Sequence, residues 1–348
     1  MREGSFRFAV VQSVLLAAVA VAVALTYHLP LRDPDGVSVP TYIRLPVILL
    51  ITFLTDVVPR AVHRAGSVRA VPSTFVAVVR ERWPRDHVRF ALVGLGAWYL
   101  TYVAFRNLKS YVPFVNGRLW DDTLARIDRA LWFGHNPAAV LHDVLGTGVS
   151  AHVLSFFYVA WIVLVPASLV VALVWSRNVR AGEWFVTAVA VDWVLGVATY
   201  FLVPTLGPVY ADPRTFAGLP TTWVSGLQET MIAERFDVLV DPFDSPAVQT
   251  IAAFASLHVG ICVTTCLMAV LLGMRRWIQA LLWAFLAVTV VATVYLGWHY
   301  FADTIGGAVI GAAGVLIAAW GTGNHVRGVP RLSRPEVEEP QTVRAEPR

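Results

Sequence analysis

Charge is scarce in this chain: 14% of its 348 residues are charged while 57% are hydrophobic, and the mean hydropathy is +0.64. A soluble domain carries roughly a quarter of its residues as charges, so a soluble globular protein is excluded and no nucleic-acid partner is expected. Cysteine is almost absent. Cys262 and Cys266 lie four apart in one apolar run, which offers neither a disulfide framework nor a metal-ligand cluster. Lysine occurs once, at Lys109, every other basic residue being arginine, a usage that points to a GC-rich bacterial genome. Internal repeats and a second soluble domain are missing too.

Long apolar runs take their place. Crossing about 30 Å of hydrocarbon needs roughly 20 apolar residues, and eight stretches qualify: 6–29, 42–58, 90–106, 151–175, 184–203, 251–273, 277–297 and 299–320. The second, no longer than the third, is interrupted by charge, with Arg44 at its start and Asp56 near its end. The first follows Arg2 and Arg7 like a signal peptide, but its apolar region is long and reads as an uncleaved span. The expected fold is all-α, a polytopic membrane bundle. Residues 1–89 supply two spans and a basic cytoplasmic loop, residues 90–320 a six-helix membrane domain, and residues 321–348, rich in proline and mixed charge, a disordered cytoplasmic tail.

Arginine sets the expected orientation. Seven arginines fall within 59–89, Arg177 and Arg180 in the turn 176–183, and Arg275 and Arg276 in the turn 274–276. All three segments share one side of an eight-span chain, assigned to the cytoplasm of a cell membrane. The connections 107–150 and 204–250 then face outward, and the latter, with six prolines, is expected to form a wall or lid.

Ionisable residues at the margins of such runs cost on the order of 3 kcal/mol each unless partnered, and are read first as functional. Ser256-Leu257-His258 is answered 41 residues later by Gly297-Trp298-His299-Tyr300-Phe301-Ala302-Asp303. His299 and Asp303 are four apart, which on a helix lets the carboxylate reach an imidazole nitrogen, fix its tautomer and raise the basicity of the other. Two crossings return the chain to the same depth, so His258 and His299 are expected at one site near the outer leaflet, His299 as nucleophile or base and His258 as acid.

These motifs resemble the type-2 phosphatidic acid phosphatase superfamily over roughly residues 95–320, and within it the branch of inositol phosphorylceramide and sphingomyelin synthases. Two less specific segments add to the likeness, Tyr200 through Pro208 and Asp121 through Pro137. The resemblance implies a six-helix catalytic core and cofactor-free, metal-independent phosphotransfer on a membrane lipid. By that analogy His299 attacks phosphorus to give a phosphohistidine, Asp303 orients it, and His258 protonates the leaving oxygen before activating the acceptor. Water as acceptor makes a phosphatase; a lipid hydroxyl makes a transferase of a phospho-headgroup, inositol phosphate being one candidate. The chain departs from the phosphatase pattern, with Ala292 and Thr293 where a Ser-Arg pair precedes the second histidine, Leu257 in place of glycine, and no upstream lysine-to-arginine-proline motif. These departures favour the synthase-like branch.

A phosphoryl group needs cationic or amide donors. Arg106, Lys109, Arg118, Arg126, Arg214 and Arg235 lie on the outward side; Lys109 and Arg118, flanking Tyr111–Phe114, are favoured, with Ser256 and the N-terminus of the last span as further contacts. Asp192, deep in the fifth span, is read as a headgroup contact or a bond between helices. Two metal readings are weaker. Asp121, Asp122 and Asp128 lack the second aspartate pair of a divalent-cation motif and fit an amphipathic interfacial helix, and His135, His142 and His152 are spaced poorly for zinc. The competing class is a lipid or phosphate transporter, against which stands the lack of paired broken spans.

Overall fold

The computed structural model describes residues 5–34 and 41–332. Its helices are α1 (Arg7–Tyr27), α2 (Thr41–Ala65), α3 (Val71–Arg82), α4 (Arg85–Val115), α5 (Asp121–Leu131), α6 (Pro137–Leu145), α7 (Val149–Val170), α8 (Val179–Leu202), α9 (Pro208–Ala211), α10 (Trp223–Val240), α11 (Leu257–Leu271), α12 (Arg276–Tyr295) and α13 (Phe301–Gly321). The protein is an all-α polytopic membrane bundle. Among the described residues seven helices are long and apolar enough to cross a membrane: α1, α2 from Pro46, α4, α7 with its π-helical continuation to Trp175, α8, α12 and α13.

The expected sixth span, 251–273, is the exception. Helix α11 starts only at Leu257 and holds 15 residues, about 22 Å at 1.5 Å each. Residues 251–253 and 255–256 are buried without being helical, because their amides are taken by neighbours: Ala253 N donates to Thr205 O, Phe254 N to Thr205 Oγ1, Ala255 N to Thr199 Oγ1, and Ser256 N to Asp303 O. Irregular backbone is tolerated at such depth only when protein satisfies it. Ser256 then caps α11, its hydroxyl accepting from Val259 N at 3.4 Å.

Helix α8 runs through the middle. Every residue from Ala181 to Asp192 is buried, as expected of a helix apolar on all sides, and it packs against α4, α11 and α13. Helices α11 and α13 meet backbone to backbone: a Cβ at Gly307 would overlap the carbonyl oxygen of Ser256, and one at Gly311 that of Gly260. Small residues permit this approach where no apolar solvent difference drives helices together.

The basic segment 59–89 is largely helical, α2 extending to Ala65 and α3 following. Asp56, 1% exposed, joins the two by accepting from Arg60, from Arg82 through Nε at 2.9 Å and Nη2 at 2.8 Å, and from Trp83 Nε1 at 3.1 Å. At the other end the chain does not fray at Gly321. His325–Val326 pairs with Val329–Pro330, His325 stacks on Trp320, and Asn324 is buried; residues 333–348, also expected to be disordered, lie outside the described residues.

Candidate active site

His258 lies in the first turn of α11, and His299 lies two residues before α13, in the turn that Tyr300 closes as its N-cap. Their rings meet: His258 Nδ1 is 3.2 Å from His299 Nε2, and His299 Nδ1 is 3.3 Å from Asp303 Oδ2. His299 is 5% exposed and Asp303 fully buried. The same Asp303 oxygen accepts from Tyr300 N at 3.0 Å, so the carboxylate fastens the first turn of α13 while touching the imidazole. Ser256 links the two motifs through its backbone, N to Asp303 O and O from Gly260 N, while its buried hydroxyl serves the cap.

Two aromatic rings wall His258, Trp161 at 4.2 Å and Tyr158 at 4.8 Å between centroids, and Trp161 Nε1 donates to the His258 carbonyl at 3.1 Å. Trp298 stacks on the far face of this wall, 5.2 Å from Tyr158. The Tyr200–Pro208 segment crosses above. Gly207 has φ 102°, and a Cβ there would lie 2.7 Å from Trp298 O; glycine alone fits both demands.

Lys109 is brought to the site. Its Nζ lies 4.8 Å from the Tyr200 ring centroid and within electrostatic reach of both imidazoles. Tyr111–Phe114, which Lys109 and Arg118 flank, lies in the last turns of the continuous 31-residue α4. Arg118 is elsewhere, exposed, its guanidinium 4.5 Å over the Trp120 ring. Arg126 and Arg214 are exposed, whereas Arg106 and Arg235 are half-buried. Arg235 Nη1 donates to Gln249 Oε1 at 3.2 Å, and Gln249 Nε2 donates to the Lys109 carbonyl at 2.9 Å. Asp192 is far along α8 from the histidines in sequence and is committed to packing: it accepts from Thr264 Oγ1 at 2.6 Å and lies against Gly314.

Sequence reasoning missed the work of α5. Asp121 accepts from Leu206 N at 3.1 Å, Gly207 N at 3.0 Å and Tyr300 OH at 3.1 Å; Asp128 accepts from Phe301 N at 2.7 Å and Ala302 N at 2.8 Å. The N-terminal amides of α13 expected to face a phosphate are therefore occupied by Asp128. Asp121, Leu124 and Asp128 recur on one face of the amphipathic α5, and that spacing is the signal in the sequence for their shared burial. His135 and His152 are exposed and His142 Nε2 bonds to Tyr295 O at 2.8 Å; among the described residues no three His, Cys, Asp or Glu converge as a metal-binding set. The 204–250 connection lines a cavity of about 350 Å³ with Val209, Tyr210, Phe216, Val224 and Gln228, together with Leu296.

No curated protein and no solved structure matches the chain. The family model described as the PAP2 superfamily matches residues 122–317, more than half of the chain and all of the histidine geometry. The chain belongs to the PAP2 superfamily.

Proposed function

We propose that this membrane protein is a metal-independent lipid phosphotransferase that works through a phosphohistidine on His299. The observation that carries the reading is the continuous line from Asp303 through His299 to His258. With Asp303 as carboxylate, His299 Nδ1–H donates to it, and the lone pair falls on Nε2, the nitrogen that faces His258. His299 Nε2 attacks phosphorus as the bond to the lipid oxygen breaks; that oxygen leaves with a proton from His258. The acceptor hydroxyl then returns its proton to His258 and attacks, and the N–P bond breaks.

At 3.2 Å the two nitrogens leave no room for a phosphorus atom with nucleophile and leaving oxygen in line on either side. The resting pair is closed, and the substrate enters by parting the rings. Lys109, within electrostatic reach of both rings, takes the charge on the phosphoryl oxygens. The synthase-like branch, with a lipid hydroxyl as acceptor and inositol phosphate as one headgroup, is favoured by the missing arginines around Ala292 and Thr293. With water as acceptor the same steps make a phosphatase.

The test is turnover of lipids carrying a labelled phospho-headgroup by purified protein, with EDTA present. Cleavage or exchange that His299→Ala and His258→Ala each reduce to a few per cent or less is the expected result. Restoration of an EDTA-silenced enzyme by magnesium would overturn the metal-free mechanism, and passage of intact lipid across vesicles without cleavage would favour a transporter. The site is assigned to the outer leaflet, opposite Arg177, Arg275 and Arg276. Cysteine at Pro213 should react with an impermeant reagent outside cells, and cysteine at Arg177 should not; the reverse pattern inverts the protein.

A further inference from the structure

Two carboxylates of α5 have no role in the transfer steps, yet both are directed at the turn that carries His299. Asp121 and Asp128 are seven residues apart, two helical turns, and are 7% and 3% exposed with Leu124 buried between them. Asp122, Arg126 and Arg129 occupy the exposed side. Burying a carboxylate is costly unless donors meet it, and here the donors are main-chain groups of the site itself.

The turn is thus gripped from two directions. Inside, Asp303 accepts from Tyr300 N and touches His299 Nδ1. Outside, Asp128 takes Phe301 N and Ala302 N, and Asp121 takes the Tyr300 hydroxyl while holding Leu206 N and Gly207 N of the crossing segment. Trp132, just past α5, adds a T-shaped contact to Phe301 at 5.4 Å. His299 is the residue next to this clamp.

We infer that Asp121 and Asp128 are positioning residues that fix the backbone turn from which the His299 ring attacks, an inference resting on the phosphotransfer reading. A displacement of about 1 Å at a reacting group costs on the order of a hundredfold in rate, so the carboxylates act on the chemical step and leave binding of the lipid unchanged. By filling the α13 amides, Asp128 also denies the phosphate a competing cradle at that helix end.

The experiment uses the full chain in lipid nanodiscs with ¹⁵N-labelled histidine. Asp128→Asn keeps the shape but sets an NH₂ against an amide. It is expected to lower kcat at least tenfold with KM within about twofold, and to move the His299 ring resonances; Asp128→Glu regains part of the rate. Tyr300→Phe, which removes one donor to Asp121 and spares the main chain, is expected to lower kcat severalfold, and it decides by the same readouts if Asp128→Asn does not fold. Rates within twofold of wild type in the folded variants, or unmoved His299 resonances, would overturn the inference. If the wild-type protein turns over no lipid phosphate, the phosphotransfer reading falls, while the ring resonances still report whether α5 positions His299.

Discussion

Helices α11 and α13 touch through their backbones, whereas α2 and α3 touch through side chains: Asp56 with Arg82, the Arg64–Glu81 pair at 2.6 Å and the Phe53–Phe75 ring contact. In the first pair Gly260, Gly307 and Gly311 remove side chains that would hold the axes apart, and the backbone carrying the two histidines inherits a fixed spacing within which the rings can part. In the second, Asp56 gathers Arg60, Arg82 and Trp83, a directional network at the edge of the bundle with small apolar support from Val57, Ala61 and Val78. The difference separates what sets geometry from what merely ties: a glycine interface leaves no slack, while a charge network holds a peripheral pair together without fixing anything at the site.

Gly307→Val attacks the glycine interface itself. Its side chain has only the Ser256 carbonyl to occupy, so α11 and α13 must separate, and turnover is expected to fall at least a hundredfold while circular dichroism still reports a helical protein. Asp56→Ala tests the other arm. Losing the bonds to Arg82, whose side chain is 12% exposed, should destabilise the α2–α3 contact by about 1–3 kcal/mol, read as faster hydrogen exchange there, with turnover within about twofold of wild type.

The smallest expected effect concerns α5, where Asp128 accepts from two backbone amides. Burial pushes Asp128 up to about 6 against the opposing pull of the Ala302 and Phe301 amides, with Asp303 adding to the rise. The folded protein therefore holds this proton more tightly than the unfolded chain, and the group's contribution to stability, complete below about pH 4, is lost as pH rises through about 6. The melting temperature of wild type relative to Asp128→Asn should decline across that window; a difference independent of pH would place the charge elsewhere.

Much of this was legible. The apolar runs gave the membrane bundle; the contact of His299 with Asp303 was anticipated from their spacing, but His299 lies in the turn before α13, so a capping turn and not a helical face makes it. The meeting of His258 with His299 followed from two crossings returning the chain to one depth. The start of α11 at Leu257 was not legible, since the apolar composition of 251–256 is identical for a span and for buried irregular backbone; only Thr199, Thr205 and Asp303, distant in sequence, decide between them. The partners of the α5 aspartates were not legible for a related reason. An amphipathic helix is assumed to turn its acids to water, and nothing local reveals that amides of residues 206–207 and 301–302 wait on the other side. Arg118 illustrates the limit for cations, its charge satisfied by the neighbouring Trp120 ring and not by the site.

The account turns on His299 as the group that takes the phosphoryl. The most direct measurement is to mix purified protein with lipid carrying ³²P in the phosphate, quench in alkali, and map the label. The prediction is an alkali-stable, acid-labile phosphoamidate on His299, absent from His299→Ala. Turnover of the lipid with no labelled protein under any quench, or a label that persists in His299→Ala, would contradict it.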